Sequence, residues 1–191
     1  MCGKVVDFVR DEDPNKEVRG IELVVAISYA TFPDRLTNAT RECLLWAMQY
    51  KRQFPNAILA FTNCTHSRFK ECAEREYEIK RGLLGDEPHI SAPACNNSIL
   101  EAEGIRDAIG FSPHRILIVC EAMHSRSVRY IWERVFPDAA IVIRRIPSQP
   151  GQSVDVPFPM LRSPYRYLAM NLARELLLRL FGLNILRKLH H

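Results

Sequence analysis

The stretch Arg115–Glu121 (RILIVCE) decides the fold class, because five consecutive apolar residues stand between its charged ends. A strand that is buried on both faces has such a continuous apolar run, and strands of this kind belong to parallel sheets. Shorter runs of similar character occur at 22–28 (ELVVAIS), 57–62 (AILAFT) and 139–146 (AAIVIRRI), with a brief segment at 89–92. The pattern predicts about five strands.

Stretches with helical spacing separate these runs. Apolar residues recur three or four positions apart over 36–52, and helices are also predicted over 68–84, 97–109 and 124–136. Because strands alternate with helices, consecutive strands are joined by crossovers and lie parallel. We therefore predict an α/β fold, a Rossmann-like three-layer sandwich with a mostly parallel sheet of about five strands and right-handed crossovers.

The chain divides into one domain and three appended segments. Its 191 residues are typical of a single domain. We predict an N-terminal extension over 1–20, a Rossmann-like domain over 21–147, a Pro-rich loop over 148–164 and an amphipathic helix over 165–191 that packs on the domain. Polar positions share one face of that helix, namely Asn171, Arg174, Glu175 and Arg179.

The net charge and the spacing of the cysteines limit the classes of binding partner and the cellular compartment that we expect. The formal net charge of +4 favours anionic small ligands or an anionic membrane surface, and it is too small and too evenly spread to indicate nucleic acid. The six cysteines form no C-x-x-C pair, which is typical of free thiols in a reducing compartment. The sequence shows neither a secretory leader pattern nor an apolar run of about 18 residues, so we expect a cytoplasmic protein.

Polar residues occupy the turns at which open parallel sheets bind ligands, outside the carboxyl ends of the strands. We predict that these turns, far apart in the chain, converge on one edge of the sheet. The candidate ligand-binding residues are Ser28, Arg35, Thr62, Asn63, Asn97, Ser98, Ser125 and Arg126, and the candidate catalytic residues are Glu121 and His124.

The turn after the fourth strand carries the most chemistry. His124, Ser125 and Arg126 stand where a helix begins, and a helix N-terminus offers unpaired N–H groups and partial positive charge. A phosphate or carboxylate would bind there. Glu121 or His124 would act as acid or base, since histidine titrates near neutral pH. The structural alternative is that Ser125 caps the helix and that Arg126 is solvated.

A second helix start offers a similar choice. Asn97 and Ser98 are of the types that cap helices, and Glu101 would complete a capping box with Ser98. Such a role in the helix does not exclude contact with a ligand. Both interpretations of this segment therefore stay open at the level of sequence.

Two further arrangements have less support. Cys64 and His66 would form a nucleophile pair, but the partners of such pairs usually meet in space and not in sequence. Asp34, His66 and His124 would form a metal site, but no ligand spacing supports it, so we predict no metal. The chain lacks the phosphate-binding glycine motifs and the G-x-S-x-G elbow, which disfavours a conventional dinucleotide fold, a P-loop nucleotidase and an α/β-hydrolase.

Three features carry a resemblance to a known family. The segment 97–102 (NSILEA) is similar to an N-T-x-E-[NE]-A helix opening, 123–127 (MHSRS) to an H-x-x-R helix start, and Arg35 to an early arginine. Over roughly 21–147 the chain resembles the YdcF-like family, a domain of unknown function shared with the SanA and ElyC envelope proteins. It departs from that family where glycine-rich turns are usual, at Ser28-Tyr29-Ala30 and Thr62-Asn63-Cys64.

The resemblance implies a Rossmann-like fold, a shared polar cleft and a link to the cell envelope. We predict that the chain binds an anionic small molecule in that cleft, such as a nucleotide-like ligand, S-adenosylmethionine or a sugar phosphate. Whether it transforms that ligand stays open, as does the oligomeric state. The alternative is a non-enzymatic interaction module, in which the Pro-rich loop and the basic helix over 165–191 contact a partner or a membrane surface.

Overall fold

A computed structural model describes residues 19–29, 32, 34–64, 72–146 and 163–183 of the chain. Its five strands form one sheet in the order β3-β2-β1-β4-β5, and every neighbouring pair is parallel. The predicted α/β, Rossmann-like class is therefore confirmed. The strands are β1 (Leu23–Ala26), β2 (Ile58–Phe61), β3 (His89–Ser91), β4 (Arg115–Glu121) and β5 (Ala140–Ile146).

Within the described ranges, five α-helices accompany the sheet. The short strands and the longer helices alternate along the chain, as crossovers between parallel strands require. Their bounds are α1 (Asn38–Gln53), α2 (Cys72–Leu84), α3 (Ser98–Ile109), α4 (Ser125–Val135) and α5 (Pro164–Phe181), and one 3-10 turn (Ala122–His124) joins β4 to α4.

The centre of the sheet explains why β4 is readable from sequence. β1 and β4 pair in the register Leu23↔Ile116, and residues on both faces of each strand are buried. A strand covered by helices on both sides has no solvated face, so its apolar run is continuous and not alternating. The predicted run and the observed strand share the same bounds, Arg115–Glu121.

The strand order creates one reversal in the direction of the crossovers. From β1 the chain proceeds to β2 and β3 on one side, and then returns to β4 and β5 on the other. In open sheets of this kind, ligands bind where the direction changes, outside the carboxyl ends of the two strands concerned. Here those ends are Ala26 of β1 and Glu121 of β4.

The appended segments are described only in part. Most of the predicted N-terminal extension (1–18) and of the Pro-rich loop (147–162) lies outside the described residues, as does the chain beyond residue 183. The predicted C-terminal helix is present as α5, which packs against α4 and the 3-10 turn. Within the described ranges, no helix combines the length and the apolarity needed to cross a bilayer.

Candidate functional site

One carboxylate from α3 connects the turns that follow β1 and β2. The backbone N–H of Ser28 and the hydroxyl of Thr62 both donate to Glu101 Oε1, each at 3.0 Å. Glu101 does not reach the start of its own helix, so the predicted capping box with Ser98 is wrong. Asn97 is the N-cap of α3, and its Oδ1 accepts from the N–H groups of Ile99 and Leu100.

A buried ion cluster lies directly beside this junction, and sequence reasoning missed it. Lys80 Nζ lies 2.6 Å from Glu76 Oε1 and donates to Ser28 Oγ and to the carbonyl of Thr62, both at 2.6 Å. Glu76 Oε2 accepts from the N–H of Cys64 at 2.8 Å. The side chains of Glu76 and Lys80 are only 0% and 1% exposed, so α2 is locked to the turns after β1 and β2.

This cluster holds two carboxylates and one ammonium in a region without solvent. Burial raises the pKa of Glu101 to about 7, although the hydrogen bonds from Ser28 and Thr62 and the charge of Lys80 oppose the shift. Near neutral pH, the protonated form of Glu101 is therefore significantly populated. The polar groups of Ser28 and Thr62 are engaged within the protein, which favours a positioning role for them.

A second group of side chains lies at the carboxyl end of β4. The N–H of Glu121 donates to the Tyr29 hydroxyl at 2.7 Å, and the Tyr29 ring packs edge-on against His124, with 5.6 Å between ring centroids. Ser98 Oγ lies 3.5 Å from His124 Nε2. The turns after β1 and β4 and the start of α3 thus meet at the predicted edge of the sheet.

His124 is an uncharged histidine at neutral pH. Burial, and next the positive charge of Arg174, lower its pKa to about 3. Its side chain is buried, and among the described residues no group hydrogen-bonds to Nδ1. Buried polar atoms are normally hydrogen-bonded, so Nδ1 of His124 is available to a further partner, such as a water molecule or a ligand.

Glu121 completes the group as a carboxyl that titrates near neutrality. Burial raises its pKa to about 7, against the opposing hydrogen bonds from the N–H groups of Met123 and His124. The His124 bond measures 3.2 Å to Oε2 and caps the 3-10 turn. A carboxyl with this pKa can give or take a proton at physiological pH.

Arginine side chains surround the N-terminus of α4. Arg145 Nε donates to Ser125 Oγ at 3.1 Å, and Arg126 Nε lies 3.2 Å from Glu175 Oε2. Arg174 of α5 acts on His124 through its charge. Arg126 was predicted from sequence, whereas Arg145 and Arg174 were missed because they come from β5 and α5. For Arg145, the only signal in the sequence was its place in the pair Arg144-Arg145, near the end of the otherwise apolar β5.

Ser125 has a different role from the structural alternative considered for it. It is the first residue of α4 and not its cap, and its hydroxyl donates to the carbonyl of Ala122 at 2.7 Å while accepting from Arg145. Arg126 is also more than a solvated side chain, because it pairs with Glu175. The helix start is therefore tied to both β5 and α5.

Two other predicted residues lie in the turn after β2 and in the turn before α1. Asn63 is buried, its side-chain amide donates to Ser91 Oγ at 3.2 Å, and its backbone carbonyl accepts from the N–H of Cys95. Arg35 lies at the start of α1 on the exposed surface, where its guanidinium stacks on Phe32 at 3.9 Å. Both candidate ligand-binding arginines, Arg35 and Arg126, are therefore exposed.

The thiol and metal arrangements gain no support from the described residues. Burial raises the pKa of the Cys64 thiol well above its usual value, and a protonated thiol is a poor nucleophile. Its proposed partner, His66, lies outside the described residues. Within the described part of the chain, no three histidine, cysteine or acidic side chains are grouped to hold a metal ion.

Comparisons with known proteins add no relative to this geometry. No protein-family model, no curated protein and no solved structure matches the chain. The resemblance to the YdcF-like family therefore stays a prediction from sequence motifs. The side chains at the carboxyl ends of β1 and β4 are therefore the basis for proposing a function.

Proposed function

We propose that this chain binds an anionic small molecule at the switch point between β1 and β4, against the N-terminus of α4. One observation carries the proposal: His124 is a buried, neutral imidazole whose Nδ1 lacks a partner among the described residues, and it stands at a helix start that Arg126, Arg145 and Arg174 surround. Helix N-termini and guanidinium groups are the two protein features that most favour phosphate and carboxylate.

The acidic groups near this position do not cancel its positive charge. Glu175 is engaged by two guanidinium groups, with Arg126 at 3.2 Å and Arg179 at 2.9 Å. The raised pKa of Glu121 leaves part of its population protonated, and so uncharged, at pH 7. Among the residues that the structure describes, an anion would therefore meet more positive than negative charge at the start of α4, which supports anion binding over cation binding.

The same residues would serve a reaction if the ligand is transformed. His124 would hydrogen-bond to the ligand without adding charge, since its imidazole stays neutral down to acidic pH. Glu121 would exchange the proton, because its pKa lies close to physiological pH. Ser98, 3.5 Å from His124 Nε2, would orient the imidazole ring. These are the roles that we propose for the predicted catalytic pair.

Candidate ligands share a phosphate or carboxylate group. Nucleotides, S-adenosylmethionine and sugar phosphates all present one, and the resemblance to the YdcF-like family is consistent with such a polar cleft. We also propose a reducing, cytoplasmic setting. In its support, the described thiols that can be assessed are free, namely Cys43, Cys64, Cys95 and Cys120.

Isothermal titration calorimetry against this ligand panel, combined with charge variants, tests the proposal. Arg145→Gln and Arg126→Gln should each weaken binding by about tenfold or more, because a charge-assisted hydrogen bond contributes roughly 1.5–3 kcal/mol. Arg134→Gln is the matched control, since Arg134 lies in the last turn of α4 and stacks on Tyr130. Equal affinities for all three variants, or no binding by the unmodified chain, would refute the site.

A further inference from the structure

The orientation of α5 is the reverse of that of an ordinary surface helix. Its inward side, toward α4 and the 3-10 turn, holds the buried polar residues Asn171 and Glu175 beside Leu178. Its outward side exposes large apolar residues, with Leu176 58% and Leu180 64% exposed. A surface helix normally turns its apolar side to the core, so exposure of this side to water indicates a binding surface.

The exposed residues form one continuous stripe. Tyr165, Leu172, Leu176 and Leu180 recur at three- to four-residue intervals, counting Ala169 between the first two, and therefore lie on one side of the helix. Phe181 is also exposed, but it lies on a different side of the helix and is not part of the stripe. The stripe residues span most of the 18-residue helix, so the stripe is about 22 Å long. We call these residues the outer stripe.

The charges beside the outer stripe are positive. Arg166 and Arg179 are exposed on α5. The one acidic residue in the α5 sequence, Glu175, is turned inward, where it pairs with Arg126 and Arg179. The outward side of this helix thus combines a broad apolar surface with arginines and presents no carboxylate of its own.

This charge pattern disfavours a second copy of the chain as the occupant. Two α5 helices packed antiparallel along their stripes would bring Arg166 of one copy toward Arg179 of the other, and parallel packing would pair like residues. In both cases, cations would approach each other with no exposed carboxylate on α5 to separate them. Like charges opposite each other weaken an interface.

We propose that the outer stripe docks on an anionic lipid surface, with α5 lying in the plane of the interface. Amphipathic helices of this kind insert their apolar side at the boundary between headgroups and acyl chains, while basic residues contact anionic headgroups. Tyr165, near the N-terminal end of α5, suits such an interface because its ring is apolar and its hydroxyl is polar. The contact is peripheral and independent of ligand binding at β4.

Vesicle co-sedimentation with the full chain tests the proposal. Vesicles contain either phosphatidylcholine alone or equal parts of phosphatidylcholine and phosphatidylglycerol, at low and at high salt. We expect sedimentation with the anionic vesicles and at least a tenfold weaker association with the neutral ones. High salt should weaken the anionic association, because exposed charges are screened within about 10 Å at 0.1 M salt.

Two triple variants separate the outer stripe from general surface apolarity. Leu172→Gln, Leu176→Gln and Leu180→Gln together should abolish sedimentation without unfolding the domain, since all three side chains are exposed. The matched control changes three exposed apolar residues elsewhere, Trp46→Gln, Leu100→Gln and Phe111→Gln, and should sediment like the unmodified chain.

Three results would overturn the proposal. The first is equal association of the unmodified chain with neutral and anionic vesicles, and the second is no association with either. The third is an unmodified chain that is dimeric by analytical ultracentrifugation and a stripe variant that is monomeric, which would assign the stripe to a second copy. A chain that binds anionic vesicles but none of the ligand panel would support this proposal and refute the one for β4.

Discussion

Replacing Glu101 with glutamine should change how the stability of the protein depends on pH. Glu101 is 2% exposed, and burial raises the pKa of its carboxyl from an ordinary value of 4.5 to about 7 in the folded chain. Between these pH values the folded state binds more protons than the unfolded state, so the free energy of unfolding falls as pH rises from about 4.5 to above 7. The contribution of Glu101 to the free energy of unfolding is therefore fully present below about pH 4.5 and is lost as the pH rises through about 7.

The size of the effect follows from the pKa difference. One pKa unit corresponds to about 1.4 kcal/mol, so a rise from 4.5 to about 7 costs the unmodified protein about 3 kcal/mol at pH 8 relative to pH 4.5. Glutamine keeps the shape and still accepts from Ser28 and Thr62, but it never ionises. The free energy of unfolding of Glu101→Gln minus that of the unmodified protein should therefore increase by about 3 kcal/mol over this pH range.

Urea denaturation at several pH values measures this difference directly. Any cost of the amide that does not depend on pH cancels when the difference is followed from pH 4.5 to pH 8. Glu78→Gln is the control, because Glu78 is exposed on α2, and its difference should stay flat. A flat difference for Glu101→Gln would mean that Glu101 is already ionised beside Lys80, which would refute the reasoning.

Two further predictions concern buried charge. His124 should lower the free energy of unfolding in acid, because its pKa of about 3 in the folded state, against an ordinary 6.5, makes the unfolded state bind the proton first. From pH 8 to pH 5 the unmodified protein should lose about 2 kcal/mol of unfolding free energy that His124→Gln does not lose. Equal losses for the two proteins in urea titrations would contradict this. Lys80→Met should lower the free energy of unfolding at pH 7 by roughly 3–5 kcal/mol, since it leaves Glu76 buried without its cation. Adding Glu76→Gln should restore part of that loss, and a double variant no more stable than Lys80→Met would contradict the pairing.

The fold class could be predicted because a strand that is buried on both faces has a continuous apolar sequence. Arg115–Glu121 is apolar throughout its interior, and β1 has the same character, so both central strands could be predicted. The edge strand β3 has only three half-buried residues, and it was predicted no better than as a brief segment at 89–92. The order of the strands within the sheet depends on how the crossovers connect them, and the sequence of a single strand does not show it.

The candidate site was readable only where a turn directly follows a strand. The rule for parallel sheets selected Glu121, His124 and the turns after β1 and β2 without knowledge of the contacts. Glu76 and Lys80 were missed because two opposite charges four residues apart on a charged helix resemble an exposed pair. Only the packing of α2 against the sheet buries them, and packing is not visible in local sequence.

The inverted orientation of α5 was also beyond local sequence. The pattern of leucine and polar residues showed two sides, but it did not show which side faces the domain. The contacts of Glu175 with Arg126 and of the Tyr130 hydroxyl with the carbonyl of Leu178 set the orientation. Both contacts join parts of the chain more than forty residues apart.

Nuclear magnetic resonance of the histidine ring nitrogens tests the central claim most directly, that an anionic ligand binds beside His124. Ligand from the panel should shift the ring ¹⁵N signals of His124, identified by their loss in His124→Gln, and the shift should saturate with the affinity found by calorimetry. His89 is an internal reference, because it lies at the amino end of β3 with Nδ1 2.8 Å from the carbonyl of Glu87. If saturating ligand leaves the His124 signals unchanged, the ligand binds elsewhere.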